Sequence, residues 1–543
     1  MKMTRRQFIR NAAVASGTIV FGDGLIGASI NPAEAATRRY DYIICGGGTA
    51  GCILANRLTE DGSTVLLIEA GGPDNSEAIS TPARLFELWN SEFDWAYLTD
   101  PQEGCNDRQI FWPRGRVVGG SSSINGMVHK RGNAADYDAW AAAGNTGWDY
   151  DSVLPYFKKS ETFSRGADQF HGGDGPLQVT ADYQPHPVTA TMVDAAIEAG
   201  YEFNADNNGA TIEGVSYAHL NIKNGLRHSA AVAYLQPALE RRNLTLITNA
   251  RVEKLILNRN KAKGIVYNQF GHTEQIRARR EVILAGGTIE SPRVLMLSGI
   301  GHRRELRKHG IRVKKHLPGV GQNLHEHTAV PVIFEGSEPL PPPSDPSLQP
   351  FHAQVYTRSE PNLADPDLQL LFLHVPGYSP GQDPVTPNGY TLISADYNPT
   401  SRGQIKLTGR EPTDPLSLDP NYLGTNEDVR TLVTGIRRSR EIAAQPALAA
   451  ITAREIYPGA DVQSDEELAE YARNTLVAYH HQVGTCKMGN DRQAVVDDKL
   501  RVHGIRRLRV VDASIIPTVP TANTNAPVVM IAERAADLIK SAW

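Results

Sequence analysis

Cysteine is scarce in this sequence. Its 543 residues contain only four cysteines, Cys45, Cys52, Cys105 and Cys486. No CxxC pair occurs and no group of histidines stands beside any of them, which argues against a structural zinc site. Four cysteines in a chain of this length do not make a disulfide framework either. We therefore predict that they are small core residues and that the protein has no metal site.

An excess of charge of one sign is also lacking. The net charge is −5 and the isoelectric point is about 6.4. A nucleic-acid-binding protein would normally be far more basic, so we expect no nucleic-acid partner. Apolar residues make up 41% and charged residues 21%, which is typical of a folded, soluble protein. The length exceeds what one hydrophobic core usually supports, which predicts two domains.

Glycine, in contrast, is abundant, with 48 residues. No Gly-X-Y period appears, which excludes a collagen-like protein. Glycine is required where the backbone takes a positive φ or comes close to a ligand. Its abundance favours an α/β enzyme that holds a large cofactor.

The N-terminus has the three-part pattern of an export signal. Arg5 and Arg6 form a twin arginine, Ala12–Ile30 is apolar, and Ala33–Ala35 is an A-x-A cleavage site. The alternative is a short amphipathic helix of the mature protein, which the glycines inside this stretch disfavour. We expect residues 1–35 to be a Tat-type signal peptide. The mature protein would then be periplasmic or secreted, and it would have no membrane span, because no later apolar run approaches 20 residues.

The next segment has the pattern of a dinucleotide-binding site. An apolar strand is predicted at Tyr40–Cys45, followed by the GxGxxG sequence at residues 46–51, a helix at Cys52–Leu58 and a second strand at Ser63–Ile68 that ends at Glu69. This order of strand, turn, helix, strand and acid is that of a Rossmann half. It predicts a first group of cofactor-binding residues: Gly46, Gly48, Thr49, Ala50, Gly51, Glu69 and Ala70.

Each of these residues has a distinct expected role. Gly46 permits the tight turn, Gly48 lets a pyrophosphate approach the backbone, and Gly51 lets the helix pack close to the sheet. The helix N-terminus faces the phosphates. Glu69 would accept hydrogen bonds from the ribose hydroxyls, which disfavours NADP. The motif alone does not distinguish FAD from NAD, but no second full fingerprint is present for a separate nicotinamide site.

Two later segments resemble a known family. Residues 114–125 read RGRVVGGSSSIN and residues 287–301 read GTIESPRVLMLSGIG. Together with GGGTAG and LIEAGG they resemble the glucose–methanol–choline (GMC) oxidoreductases, in particular the bacterial alcohol dehydrogenase, choline dehydrogenase and hydroxymethylfurfural oxidase group. His129 stands where that family prefers an aromatic residue or alanine. The resemblance implies an α/β fold, with a Rossmann-like FAD-binding domain interrupted by an α+β substrate domain that contains an antiparallel sheet.

The resemblance also implies how FAD is held. In some members a histidine just before the position of Asn125 is joined covalently to FAD, but here that residue is Ile124. We therefore expect non-covalent FAD. The segment at 287–301 is expected to close the FAD fold, with a helix that starts at Ser291–Pro292. The second group of predicted cofactor-binding residues is Arg116, Val118, Gly119, Ser122, Asn125, Gly126, Met127, Val128, Val252, Asp512, Ala513, Asn525, Ala526 and Pro527.

The family's catalytic histidine corresponds to His481, which lies three residues before Gly484 in YHHQVGTCKMG. His480 is predicted to line the substrate pocket. The second catalytic residue is predicted to be Asn525, which would also cap a helix at Val528–Lys540, and Asn523 is the alternative. A histidine with an ordinary pKa near 6.5 can take the hydroxyl proton of an alcohol near neutral pH, and the asparagine would hold the oxygen.

The remaining predictions concern organisation and the pocket. We expect FAD-binding parts at 36–160, 213–330 and 479–543, and substrate-domain parts at 161–212 and 331–478. The Pro-rich stretch 339–350 is interpreted as a lid, an interface segment or a plain linker. Strands are predicted at Tyr390–Tyr397 and Gln404–Leu407. Candidate pocket residues are Ile393, Ala395 and Phe372.

The predicted function is FAD-dependent oxidation of an alcohol to an aldehyde or ketone, with hydride transfer to flavin N5. The electron acceptor (O₂, a quinone or a cytochrome), the alcohol and the choice between monomer and dimer stay open. The alternatives are a lyase or photodecarboxylase of the same fold and, less favoured, an NAD-dependent dehydrogenase.

Overall fold

The computed structural model describes residues 39–543 except for residue 344. The predicted signal peptide lies outside the described residues. Two seven-stranded sheets organise the described part of the chain, together with a three-stranded sheet and several two-stranded ribbons. The strand directions in the two large sheets are consistent with whether helices cover one face or both faces of the strands.

The first sheet combines a parallel part with an antiparallel meander. Its strands, from one edge to the other, are Leu244–Ile247, Val65–Ile68, Tyr40–Cys45, His272–Leu284, Lys261–Gln269 and Ala250–Asn258, and Leu508–Val510 pairs with His272–Leu284. The strands around Tyr40–Cys45 run parallel, and those of residues 250–284 run antiparallel. Strands in a parallel sheet are covered on both faces, and Val65–Ile68 is buried at every position.

The second sheet is antiparallel throughout. Its strands, in order, are Thr452–Tyr457, Thr328–Gly336, Gly389–Asp396, Leu368–Leu373, Phe351–Thr357 and Gly214–Tyr217, and Val477–Ala478 pairs with Thr328–Gly336. The predicted strand at 390–397 is its central member. The predicted strand at 404–407 belongs instead to the three-stranded sheet of Gln322–Leu324, Gly403–Leu407 and Leu416–Asp419.

The ribbons are pairs of short strands. They are Tyr97–Leu98 with Phe111–Trp112, Val128–His129 with His219–Leu220, Glu161–Phe163 with Leu177–Val179, Ile222–Lys223 with Leu226–Arg227, and Ile300–Gly301 with Lys315–His316.

Helices cover the two large sheets. The α-helices are Thr49–Thr59, Glu77–Ser80, Ala134–Ala142, Tyr150–Ser160, Pro187–Glu198, Gln236–Ala238, Gly287–Leu297, Arg303–Lys308, Asn426–Ala443, Pro446–Ala449, Asp465–Thr475 and Asn525–Lys540. Short 3₁₀ helices occur at Pro82–Leu88, Glu103–Cys105, Gly120–Ser123 and Ala513–Ile515, and a short π-helix occurs at Ala231–Leu235. Asn525–Lys540 packs against Thr49–Thr59, while Asn426–Ala443 packs against the second sheet. The C-terminal helix thus lies beside the first one.

The helix in the 287–301 segment differs from the prediction. It starts at Gly287 rather than at Ser291–Pro292, so Pro292 lies inside it. Proline has no N–H to donate to the carbonyl four residues earlier. That carbonyl, on Thr288, instead accepts a hydrogen bond from the Thr485 hydroxyl at 2.6 Å. The proline is tolerated because a neighbouring loop supplies the missing donor.

The predicted domain boundaries differ in how they relate to the sheets. The predicted FAD-binding part that starts at residue 213 begins with Gly214–Tyr217, but this strand pairs with Phe351–Thr357 in the second sheet. The boundary at 330 lies inside Thr328–Gly336, and the one at 478 coincides with the end of Val477–Ala478. The chain therefore crosses between the two sheets several times.

The described residues also bear on the cysteines and on membrane-spanning helices. All four cysteines are buried and free within this part of the chain, as predicted for core residues. Among residues 39–543, leaving out 344, no helix has the length and apolar character needed to cross a membrane.

Candidate active site

A cavity of about 730 Å³ joins the first sheet to the second. It begins at the carboxyl ends of the parallel strands, where α/β proteins bind ligands. It ends between the second sheet and the loop that carries His481. The predicted cofactor-binding residues in its wall are Gly46, Gly48, Thr49, Ala50, Glu69, Ala70, Asn125, Gly126, Met127, Val128, Val252, Asp512, Ala513 and Asn525.

The glycine turn is held by contacts that leave no room for a side chain. Gly46 has φ +110°, and a Cβ there would lie 2.4 Å from the Ala285 carbonyl oxygen. A Cβ on Gly51 would lie 1.9 Å from the Gly46 carbonyl oxygen. Gly51 is outside the cavity wall and allows close packing of the helix, which is the role predicted for it. At Gly48, in contrast, a Cβ would meet only the Gly120 Cα at 3.8 Å.

This difference gives a prediction for Gly48→Ala. The variant should fold as wild type does, but it should lose FAD affinity, because the added methyl group projects where only a ligand would be close. Flavin content after purification and thermal unfolding of the apoprotein measure the two effects. Gly51→Ala is the matched control and should lower the unfolding temperature of the apoprotein. An unchanged flavin content in Gly48→Ala would contradict this assignment.

Glu69 lies at the end of Val65–Ile68, as predicted. Its Oε2 accepts the Gly47 N–H and its Oε1 accepts the Gly71 N–H, both at 2.7 Å. Burial raises the pKa of this carboxyl to about 7. The carboxyl is therefore fixed in the cavity wall, where each oxygen keeps a lone pair for a further hydroxyl donor.

Some predicted cofactor-binding residues lie outside the cavity wall. The Arg116 side chain is exposed and stacks over Trp95, which does line the cavity, with the guanidinium carbon 5.0 Å from the ring centre. The Ser122 hydroxyl is used within the fold, where it donates to the Gly119 carbonyl at 2.6 Å. The others, Val118, Gly119, Ala526 and Pro527, are packed in the interior. Arg114, Gly115, Gly120 and Ser121 line the cavity in this region instead.

His481 lies in the wall at the other end of the cavity, held from both sides. Its Nδ1 is 2.8 Å from Nδ1 of His327, and its Nε2 is 3.1 Å from Nδ2 of Asn523. Burial, followed by His327, His480 and Arg114, lowers the pKa of His481 well below the usual histidine value. The imidazole is therefore neutral at neutral pH.

The partner of His481 is Asn523 and not Asn525, so the alternative assignment fits the geometry. Oδ1 of Asn525 accepts a hydrogen bond from the Thr49 hydroxyl at 3.0 Å, which places Asn525 at the glycine-turn end. The predicted capping role is also wrong, because the C-terminal helix begins at Asn525 and its cap residue is Thr524. Asn523 precedes the helix in an irregular segment, which leaves its amide directed toward His481.

A buried carboxyl group, missed by the sequence analysis, supports the loop of His481. Glu326 accepts the His481 backbone N–H at 3.1 Å and the Gln482 amide at 2.7 Å, and it also accepts the Tyr422 hydroxyl. Burial raises its pKa to about 7. The signal in the sequence is the HEH triplet at 325–327, which leads into a buried strand, and its meaning depends on contacts with residues about 155 positions away.

His327 is the second residue that the sequence analysis missed. When the Asn523 amide donates to Nε2 of His481, the remaining proton is on Nδ1 and is donated to His327. The His327 ring stacks on Tyr397 with ring centres 3.9 Å apart, which fixes its orientation. His327 thereby selects the form of His481 whose Nε2 is unprotonated and next to Asn523.

This arrangement predicts different rates for two substitutions of His327. His327→Leu leaves the His481 Nδ1–H buried without an acceptor, which costs about 1–3 kcal/mol. We expect it to slow flavin reduction by alcohol about 10–100-fold. His327→Asn keeps an acceptor oxygen near the position of Nδ1 and should recover most of this loss. Both variants lose the stacking on Tyr397, so equal rates in stopped-flow reduction would contradict the positioning role.

His480 lines the cavity as predicted. It has φ +66°, a strained conformation for a side chain of this size. Its carbonyl accepts a hydrogen bond from Nη2 of Arg114 at 2.6 Å, and its ring packs edge-on to Trp89 with ring centres 4.9 Å apart. Burial lowers its pKa to about 3. A second neutral imidazole therefore stands beside the catalytic candidate.

The second sheet contributes one predicted pocket residue. Ile393 lines the cavity and is paired with Leu371, which also lines it. Phe372 is directed to the opposite face, since side chains alternate along a strand, so Leu371 and Leu373 take the place predicted for it. Ala395 is on the correct face but lies beyond the cavity, in a cluster with Ala329 and Tyr356.

Comparisons with known proteins identify the family. The model of the GMC oxidoreductase N-terminal region matches residues 40–329, and that of the C-terminal region matches residues 399–532. The chain belongs to the GMC oxidoreductase family. It is thus an FAD-binding oxidoreductase with the predicted fold.

Three similar proteins illustrate the relationship. Mouse mitochondrial choline dehydrogenase is 41% identical over 532 residues, covering 92% of this chain and 89% of its own. The alcohol dehydrogenase [acceptor] of Pseudomonas putida is 40% identical, covering 92% and 95%. The crystal structure of pyridoxine 4-oxidase from Mesorbium loti has a TM-score of 0.88 at 34% identity, covering 92% of this chain and 99% of that one.

The residues of this GMC oxidoreductase fit FAD. The helix Thr49–Thr59 directs its first N–H groups toward the cavity, where they suit a pyrophosphate. The Glu69 carboxyl suits ribose hydroxyls. Ile124 lines the cavity and has no atom able to bond covalently to a flavin. Acid precipitation should therefore release all the yellow colour into the supernatant, and colour that stays with the pellet would contradict non-covalent binding.

Proposed function

We propose that this protein oxidises an alcohol to an aldehyde or ketone, with His481 as the base and Asn523 as the second contact to the alcohol oxygen. The observation that carries the proposal is the distance of 3.1 Å between His481 Nε2 and Asn523 Nδ2 in the wall of the cofactor cavity. FAD, when bound, supplies the acceptor for the hydride that the alcohol carbon loses. The names of the relatives, choline dehydrogenase and alcohol dehydrogenase, support this class of reaction.

The protein groups have complementary tasks. Nε2 of the neutral His481 receives the hydroxyl proton, and the Asn523 amide donates a hydrogen bond to the same oxygen as its negative charge develops. The positive charge of Arg114, close to His480 and His481, further stabilises an anion here. Because the low pKa of His481 keeps the imidazole unprotonated, the base is ready before the alcohol arrives.

An anaerobic experiment tests this function. The purified yellow holoenzyme is mixed with a panel of primary alcohols in the dark, and the absorbance of the oxidised flavin near 450 nm is followed. Bleaching with formation of the aldehyde in equal amount is expected. If every alcohol leaves the flavin oxidised, the alternatives are tested with their own substrates. Cleavage of a cyanohydrin to a carbonyl compound and cyanide in the dark would favour a lyase, and release of CO₂ from a carboxylic acid only under light would favour a photodecarboxylase.

The electron acceptor is determined with the same reduced sample. Mixing it separately with O₂, a soluble quinone and a cytochrome compares the rates of flavin reoxidation. A fast reaction with O₂ would define an oxidase, and a slow one beside a fast quinone or cytochrome reaction would define a dehydrogenase.

We also propose export by a Tat-type signal in residues 1–35. The support is the sequence pattern of Arg5, Arg6 and the A-x-A site at Ala33–Ala35. N-terminal sequencing of the protein from the periplasmic fraction should begin near Ala36. Recovery of an uncleaved chain from the cytoplasm, unchanged by Arg5→Lys/Arg6→Lys, would overturn this proposal.

A further inference from the structure

The carboxyl groups in the cavity wall all belong to one end of it. Among the described residues, the acids that line the cavity are Glu69, Glu290 and Asp512. Each lies on an element of the first sheet or its helices and is already hydrogen-bonded: Glu69 to backbone N–H groups, Glu290 to Tyr97, and Asp512 to Ser291. The half of the wall near His481, called here the substrate half, contains no acid within the described part of the chain.

The substrate half is built mainly from apolar side chains. They include Phe86, Trp89, Phe351, Leu371, Leu373 and Ile393, and Tyr378, Tyr479 and His480 add polar groups. Phe86 packs edge-on to Trp89 and to Phe351, with ring centres 5.2 and 6.0 Å apart. Phe86 is also 45% exposed, so this aromatic cluster stands where the cavity opens to solvent.

Two tyrosine hydroxyls of the substrate half are already used within the protein. The Tyr378 hydroxyl donates to the Thr386 carbonyl and accepts the Thr386 N–H. The Tyr479 hydroxyl donates to Gln369 at 2.5 Å. Beyond His481 and Asn523, the polar atoms of this part of the wall that lack a hydrogen-bond partner are Nδ1 of His480 and Oε1 of Gln482, and neither belongs to a charged side chain that could pair with a cation.

The electrostatic environment opposes a cation. Arg114 donates a hydrogen bond to the His480 carbonyl. Burial is the largest cause that lowers the pKa of both His480 and His481, and the positive charge of Arg114 adds to it. The nearest buried acid behind the loop, Glu326, is turned to the His481 backbone, Gln482 and Tyr422, and it lies outside the cavity wall. Cation–π contacts with the aromatic cluster would favour a cation, but no carboxylate of the described residues lies in the substrate half to balance its charge.

We infer that the substrate of this protein is a neutral, mainly apolar alcohol, and that a quaternary ammonium alcohol is a poor substrate. This inference rests on the proposed oxidation of alcohols. The inferred substrate therefore differs from choline, the substrate stated in the names of two relatives that are choline dehydrogenases. The aromatic cluster at the opening favours alcohols with a ring or a branched alkyl group, which pack edge-on or face-on against it.

A pair of compounds of equal shape isolates the charge. Choline and 3,3-dimethylbutan-1-ol differ only in that a quaternary carbon replaces the quaternary nitrogen. We expect kcat/KM for flavin reduction to be at least about tenfold higher for the neutral compound, a difference of about 1.4 kcal/mol. Benzyl alcohol should be at least as good as the neutral compound. An equal or higher value for choline would overturn the inference.

A gain of specificity tests the missing counter-charge directly. Ile393→Glu introduces a carboxylate in the substrate half, and Ile393→Gln introduces a side chain of the same shape without charge. The ratio of kcat/KM for choline to that for 3,3-dimethylbutan-1-ol should rise at least about tenfold in Ile393→Glu relative to Ile393→Gln. Equal ratios in the two variants would contradict the role assigned to the absent acid.

A binding measurement separates this inference from the proposed function. Both compounds are titrated into the oxidised holoenzyme, and the shift of the flavin absorption spectrum gives their dissociation constants. If neither compound reduces the flavin, the proposed oxidation fails, but tighter binding of 3,3-dimethylbutan-1-ol still supports the neutral pocket. Tighter or equal binding of choline overturns the inference whether or not the flavin is reduced.

Discussion

His481→Ala is expected to slow flavin reduction by alcohol by about 10²–10⁴-fold, the range typical of a lost general base. The substitution removes the imidazole nitrogen that lies 3.1 Å from the Asn523 amide and that is proposed to accept the hydroxyl proton. FAD should stay bound, since its predicted contacts lie on the other elements of the cavity. The measurement is the rate constant of anaerobic flavin reduction at saturating alcohol, with flavin content determined in parallel.

His503→Ala is a matched control for this experiment. His503 lies in the same C-terminal region, and its Nε2 donates one hydrogen bond to the Gly489 carbonyl at 3.0 Å, but it is outside the cavity wall. Its loss should leave the reduction rate within about twofold. A near-normal rate in His481→Ala with full flavin content would remove His481 from the proposed mechanism.

The sequence predicted those parts of the fold that local patterns determine. The strand Tyr40–Cys45 has the predicted bounds, because an apolar run closed by a glycine turn leaves little freedom in register. The helix at the C-terminus was predicted from Val528 and begins at Asn525, within the usual uncertainty of helix ends. The placement of His481 in the cavity also followed from its sequence motif.

Predictions that depended on a face or on a distant contact were less successful. Phe372 and Leu371 differ by one position on a strand, and one position decides which face a side chain occupies. Arg116 and Arg114 differ by two positions in an irregular turn, where no period applies. His327 and His481 are 154 residues apart, so only the pairing of the strands of the second sheet brings them together.

The same difficulty arises in the segment TANTNAP at residues 521–527, because it contains two asparagines that are two positions apart. The sequence suggests that either could precede the helix and reach the site. The start of the helix at Asn525 resolves the question, since it directs Asn525 to Thr49 and leaves Asn523 beside His481. The catalytic assignment of the two residues can therefore be tested within one segment.

Asn523→Ala should reduce the rate of flavin reduction by about 10²–10³-fold, the loss typical of removing one donor to a developing oxyanion. Asn525→Ala should instead remove one hydrogen bond to Thr49, which is worth about 1 kcal/mol, and should act on FAD retention or thermal stability with little effect on the reduction rate. Stopped-flow reduction, flavin content and thermal unfolding of both variants give the comparison.

The double variant His481→Ala/Asn523→Ala extends the test. Since both groups act on one oxygen, the second substitution should cost much less than it does alone. Additive losses would mean that Asn523 acts independently of the base. If Asn525→Ala lost the reduction rate while Asn523→Ala kept it, the oxygen of the alcohol would have to lie near Thr49. The contact between Asn523 and His481 would then be structural only.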